Sequence, residues 1–154
     1  NYANMFAPYA NNANSAAQWG WNITLMESLQ ISTYEPGQYY DWHVDGFVDT
    51  ASARKTVASK SVTGTDQAVD PSLAGTIRKL SLVVQLSDPS EYDGGDFMIQ
   101  CPAHDREAID LSVDKFKPKG SIIVFPSFVR HKVTPVTRGK RHSMTTWFGG
   151  PPYV

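Results

Sequence analysis

Residues 119–152 read KGSIIVFPSFVRHKVTPVTRGKRHSMTTWFGGPP, and their pattern decides the fold. Runs of β-branched, aromatic and aliphatic residues at 121–125, 131–136 and 141–148 alternate with Pro, Gly and Ser punctuation, as successive β-strands do. The pattern continues towards the N-terminus. Residues 79–86 (KLSLVVQL) form a strand with a fully apolar centre, 96–101 another, and 108–113 a weaker candidate. Residues 29–34 and 39–44 flank the turn Glu35-Pro36-Gly37. Seven or eight short strands with little helix predict a mainly β fold, a double-sheet jelly roll.

Two stretches lack this pattern. The opening NYANMFAPYANNANSAAQWGWN mixes Asn, Ala and aromatics without a clean period, so residues 1–28 are expected to be irregular N-terminal support with one short helical turn. Residues 46–76 are rich in Ala, Ser, Thr, Asp and Lys and show no apolar period. A structureless stretch of that length inside a compact domain is uncommon, which makes it a candidate lid.

At 154 residues the chain is long enough for one domain, spanning 1–154, with its own core. A formal net charge of −1 gives no reason to expect nucleic acid or an anionic membrane as partner. No apolar run approaches the roughly 18 residues of a membrane span. Cys101 is the single cysteine, which excludes an internal disulfide, fits a cytoplasmic setting and reads as a buried small hydrophobe beside a strand end. The chain opens at Asn1 with neither an initiator Met nor a signal-peptide pattern, as a processed or trimmed piece would.

The chemistry starts at Trp42-His43-Val44-Asp45. On a strand, positions two apart point to one face about 6.5–7 Å from each other, so His43 and Asp45 can converge on one ion while Trp42 and Val44 pack the other side. An HxD triplet alone is common, and its value depends on a third ligand. Four histidines exist. His104 lies in a polar loop, and His142 points away from its neighbour Arg141. His131 follows the strand GSIIVFP and a short loop, far enough from His43 in the chain to come from an opposing strand. Two imidazoles and one carboxylate leave open positions on an octahedral ion, the arrangement that suits Fe(II) oxygen chemistry. Taken singly, each histidine is as readily a packed or surface imidazole.

Arg141 adds weight to the set. By alternation Arg141, Ser143, Thr145 and Trp147 share one strand face. An inward guanidinium there needs an anionic partner, and its planar fork suits a carboxylate. Spacing alone does not separate this from an exposed hairpin arginine beside Arg138 and Lys140. A tight hairpin at Arg138-Gly139 would also put His131 and Arg141 on opposite faces, so the functional reading expects a bulge or a three-residue turn there.

YEPGQYYDWHVD, RKLSLVVQLSDPSEYDGGDF and KGSIIVFPSFVRHKVTPVTRGKRHSMTTWFGGPP together resemble the prolyl 4-hydroxylase-like branch of the 2-oxoglutarate oxygenases, closest to the bacterial and phage PKHD-type hydroxylases. The resemblance runs from about Tyr34 to Pro152. It implies a double-stranded β-helix, with Fe(II) held by His43, Asp45 and His131. It also implies 2-oxoglutarate chelating that iron, its distal carboxylate gripped by Arg141 with Thr145 as helper. Tyr34 and Trp147 would line the cosubstrate or substrate pocket. Many prolyl hydroxylases carry a tyrosine where this chain has Gln85, and the amide would have to substitute for the phenol. The implied reaction consumes O₂ and 2-oxoglutarate, with ascorbate as reductant, and releases succinate and CO₂. It would hydroxylate an unactivated C–H of a proline-containing peptide or protein, or of a small metabolite. A zinc hydrolase could use three such ligands but has no use for Arg141, and a non-catalytic jelly-roll module explains the fold but not the ligands.

Overall fold

The computed structural model describes residues 2–48, 71–101 and 109–153. Helix α1 (Tyr2–Ala16) is followed by β1 (Leu25–Met26), β2 (Gln30–Tyr34) and β3 (Tyr40–His43). Next come β4 (Ile77–Gln85), β5 (Tyr92–Gly94), β6 (Phe97–Cys101) and β7 (Ile109–Ser112). The chain ends with β8 (Ile122–Pro126), β9 (His131–Val133), β10 (Val136–Gly139) and β11 (Arg141–Gly150). The strands form a major sheet ordered β1-β11-β4-β8, with β2 also on β11, and a minor sheet ordered β3-β9-β6-β7; all their pairings are antiparallel. Two sheets packed this way are the expected jelly roll.

β4 explains the layering. Val83 packs inwards with Phe97, Phe125 and Val133, the core between the sheets. Leu80, Leu82 and Val84 face the other way, onto Phe6 and Ala10 of α1 and onto Phe148. A strand apolar on both faces needs cover on both, which is why KLSLVVQL reads as continuously hydrophobic.

The helix corrects the expectation that residues 1–28 are irregular. Phe6 and Ala10, four residues apart, make one buried helical face. Three asparagines in the last two turns and Pro8 within the helix hide that period in the sequence. Packing overrides propensity here. The helix stops where Gln18 takes a positive φ of 55°, and the Asn14 side chain then bonds both the carbonyl and the N–H of Trp21.

The hairpin expected between His131 and Arg141 does not form. β10 pairs with β5 in a separate ribbon, and β11 joins the major sheet while β9 belongs to the minor one. His131 and Arg141 therefore face each other from opposing sheets, and no bulge between them is required. The irregularity that does occur, between Val136 and Arg138, lies in the β10–β5 ladder. β1, β5 and β10, at two to four residues each, are too short to carry a readable period. Most of the expected lid, and His104, fall outside the described residues. Among the described residues no helix is long and apolar enough to cross a membrane.

If α1 is part of the core, Phe6→Ala lowers unfolding free energy by about 3 kcal/mol, the usual cost of deleting a buried phenyl ring. Urea titration would show it as a lower midpoint at unchanged slope. A loss below about 0.5 kcal/mol, as for an ordinary surface change, would mean the helix is only loosely attached.

Candidate active site

β3 and β9 are paired so that His43 and His131 stand directly opposite, with ring centroids 4.2 Å apart. Asp45 lies past the end of β3, and strand alternation is not what aims it. Its N–H and that of Gly46 both donate to the Ser127 carbonyl, at 2.8 and 3.0 Å, folding the chain back over the end of β8. The ligand atoms of His43, Asp45 and His131 all lie within 4.8 Å of one another.

Each imidazole has its outer nitrogen against a backbone carbonyl, which can only accept: His43 Nδ1 to Asp41 O at 2.7 Å and His131 Nδ1 to Val129 O at 2.8 Å. Those contacts fix the Nδ1–H tautomer and leave both Nε2 lone pairs facing inwards. They point at a carboxylate, with Nε2 of His43 3.3 Å from Asp45 Oδ1 and Nε2 of His131 3.5 Å from Oδ2. Acceptors aimed at acceptors in a buried place repel unless a cation lies among them. Burial pushes the His131 pKa down and keeps the ring neutral. Burial also works to raise the Asp45 carboxyl, but His43, His131, Ser81 and Trp147 outweigh it and bring it to about 2. Two imidazoles presenting Nε2 and one firm carboxylate fit a divalent metal.

Asp45 Oδ2 also accepts from Ser81 Oγ at 2.7 Å and from Trp147 Nε1 at 2.9 Å. Sequence reasoning placed Trp147 in the pocket but missed this bond and Ser81 altogether. A lone Ser in the apolar KLSLVVQL, on the same face as Val83, was the available signal. Val44, expected to pack the far side, lines the same cavity as the ligands. Trp42 does face away, against the Lys132 ammonium at 4.6 Å.

The cavity is about 370 Å³ and runs between the sheets. Arg141, Ser143, Thr145 and Trp147 all line it, as the alternation of β11 predicts, and Tyr34 lines it from β2. Arg141 is 2% exposed, and its Nη1 has no hydrogen-bond partner. Burial lowers its pKa, opposed by Tyr92, which bonds the guanidinium, and by Tyr34, whose ring lies 5.6 Å from Cζ. A guanidinium stays charged under such pressure, so Arg141 is a buried cation waiting for an anion. The second glycine of YDGGDF makes room for it. Gly95 has φ of 60°, and a Cβ there would come 2.9 Å from Arg141 Cδ.

Gln85 does not reach the cavity wall. Its amide donates to Tyr92 Oη at 2.7 Å and to Ser87 O at 3.3 Å, leaving Oε1 without a partner. Tyr92, absent from the sequence reading, is thus the hydroxyl that joins Gln85 to Arg141.

The profile of the 2OG-Fe(II) oxygenase superfamily matches residues 29–149. A PKHD-type hydroxylase of Synechococcus sp. (strain CC9605) is 30% identical over 125 residues, 81% of this chain and 43% of its own length. One from Janthinobacterium sp. (strain Marseille) is 32% identical over 117 residues, 76% of this chain and 41% of its own. The chain therefore spans about two fifths of the length of these curated relatives. A Pseudomonas putida prolyl-4-hydroxylase superposes with a TM-score of 0.60 at 23% identity, over 96% of this chain and 64% of that one. The viral collagen prolyl hydroxylase of Paramecium Bursaria Chlorella virus-1 gives 0.55 at 19% identity, over 96% and 71%. At such identities these two structures bear on the fold, and they agree on the jelly roll.

His43→Ala, Asp45→Ala and His131→Ala should each lose stoichiometric Mn(II) binding, followed by electron paramagnetic resonance, while keeping the wild-type far-ultraviolet spectrum. The strands are held by the two apolar clusters, of which none of the three is a member, although the His131 ring packs on Phe97 and Phe125 of one of them. Wild-type Mn(II) affinity in any one variant would strike that residue from the set.

Proposed function

We propose that this chain, which belongs to the 2OG-Fe(II) oxygenase superfamily, is a hydroxylase that uses Fe(II), O₂ and 2-oxoglutarate to oxidise an unactivated C–H bond of a peptidyl proline. One observation carries the reading. The same cavity holds a three-ligand cluster of His43, Asp45 and His131 and, from the facing sheet, the unpaired Nη1 of the buried Arg141. A 2-oxo dicarboxylic acid has one end for each.

His43, Asp45 and His131 would hold the iron, which when bound supplies the oxygen activation that no side chain can perform. Arg141 binds the distal carboxylate through its free Nη1, and Tyr92 fixes the guanidinium from behind. Thr145 and Tyr34 offer hydroxyls along the wall between the two ends. The burial of Arg141 strengthens its attraction for a carboxylate. Ascorbate would keep the iron reduced between turnovers.

The proline substrate draws support from the mouth. Tyr39, Tyr40, Phe47 and Val48 are all more than half exposed beside the ligands His43 and Asp45, a surface of rigid aromatic and aliphatic groups. Extended proline-rich segments suit such surfaces because they lose little conformational entropy on binding. The names of the structural relatives point the same way.

Arg141→Ala should weaken 2-oxoglutarate binding by about 2–5 kcal/mol, the usual loss on truncating one partner of a buried charge pair, while Mn(II) affinity without cosubstrate holds. Equal calorimetric affinities in wild type and variant would sink the assignment. For the substrate, wild-type protein with Fe(II), ascorbate and 2-oxoglutarate should form succinate and add one oxygen atom to proline-containing peptides, read by mass spectrometry. Oxidation confined to free amino acids or other small metabolites would overturn the proline reading and leave the oxygenase standing.

A further inference from the structure

Arg78 lines the cavity beside the ligand cluster and would be the obvious second grip for an anion. It is already neutralised. Its Nε and Nη2 each lie 2.8 Å from the two oxygens of Glu27, a fork-on-carboxylate pair whose acid is only 10% exposed. The guanidinium instead stacks on an aromatic ring, with Cζ 3.7 Å from the centroid of Trp147. That indole donates to Asp45 Oδ2 at 2.9 Å, whereas Arg78 itself reaches only the Asp45 backbone carbonyl, from Nη1 at 3.5 Å. Glu27 in turn is pinned to β11, its N–H donating to Trp147 O and its carbonyl accepting from Thr146 Oγ1, both at 2.8 Å.

We propose that Arg78 and Glu27 are positioning residues for the metal ligand Asp45 and act through the indole of Trp147. A cation against the ring face keeps the indole from turning and draws charge from it, so Nε1–H becomes a firmer donor. With Ser81 and Trp147 both on Oδ2, that oxygen is saturated, and Oδ1 remains the atom with open lone pairs. The carboxylate thus presents one defined oxygen beside His43. Glu27 is needed because an unpaired Arg78 would be repelled by a cation held at Asp45, and its fork fixes the plane in which Arg78 meets the ring.

The inference rests on the metal site proposed above, and Co(II) titration followed by visible absorption separates the two. Five proteins are compared: wild type, Trp147→Phe, the pair Arg78→Met with Glu27→Gln, all three changes together, and Arg78→Lys. Trp147→Phe, which keeps a ring and removes the N–H, should weaken Co(II) binding by about tenfold or more, as loss of a bond to a metal ligand does. The neutral pair should weaken it by about two- to fivefold, the worth of a cation–π contact at a partly exposed site. The triple variant should bind more weakly than Trp147→Phe by less than the loss seen in the pair variant alone, because with the N–H gone only the long contact of Arg78 Nη1 with the Asp45 carbonyl, at 3.5 Å, is left for the pair to act through. Arg78→Lys, which keeps a cation over the ring, should bind more tightly than the pair variant. Wild-type affinity in Trp147→Phe, or losses that simply add, would overturn the inference. A wild type that binds no Co(II) would remove both this inference and the metal site. Should Trp147→Phe not fold, the indole Nε1–H resonance decides: it moves upfield in the pair variant, and an unmoved resonance overturns the inference.

Discussion

Asp45 and Arg141 bring opposite charges into one cavity and do not meet. In a water-poor space such charges attract strongly, and a flexible chain would let them pair. Their anchors hold them apart: Asp45, past the end of β3, is tied to the end of β8 through the Ser127 carbonyl, and Arg141 stands at the first position of β11, with β4 between those two strands. Each has other neighbours instead: two imidazoles, a serine and an indole around the acid, and two phenols and, more weakly, the Asp96 carboxylate around the base. Among the described residues neither forms an ion pair with a lysine, arginine, aspartate or glutamate. The cavity keeps an electrostatic demand at both ends.

Much of the remaining architecture serves that separation. β4 runs between the two ends, placing Ser81 under Asp45, Val83 in the middle and Gln85 behind Tyr92 and Arg141. Its other face carries the leucines that bind α1, so the strand is held from both sides. Glycines sit where the walls are closest. A Cβ on Gly46 would come 2.8 Å from the Arg78 carbonyl, and one on Gly95 would crowd Arg141. Dispersion and apolar burial on β4 therefore hold in place the polar atoms that shape the cavity.

The cluster of His43, Asp45 and His131 was legible because few residues could serve: four histidines, one HxD triplet and an apolar strand just before His131. The reason given for Asp45 was only half right, since the Ser127 carbonyl and not strand alternation aims it. Arg141 was placed on the correct face by the parity of β11, although the hairpin invoked to explain it does not exist. Parity is local and survives a wrong topology, whereas pairing partners are long-range and no spacing reports them. The helix was hidden by Asn and Pro, yet its cover was implied by a strand hydrophobic on both faces. Tyr92 could not be read at all. It sits on a three-residue strand, and its partners Gln85 and Arg141 lie seven and forty-nine residues away.

The accounting of charge also bears on what the cavity admits. Among its lining residues the cations are Arg78 and Arg141, and Glu27 already neutralises Arg78. On the proposed reading, the one uncompensated cation takes the distal end of the dicarboxylate, and the His43, Asp45 and His131 cluster serves the other end. A substrate entering beside them with a free carboxylate would find no positive partner on the described wall and would lose its hydration without return. A free amino acid carries such a group next to its ring or side chain. A residue within a peptide does not, its amides being neutral and able to keep hydrogen bonds at the rim. On the proposed reading, the single open guanidinium is therefore better matched to an internal peptide residue than to a free amino acid, on electrostatic grounds independent of the aromatic mouth.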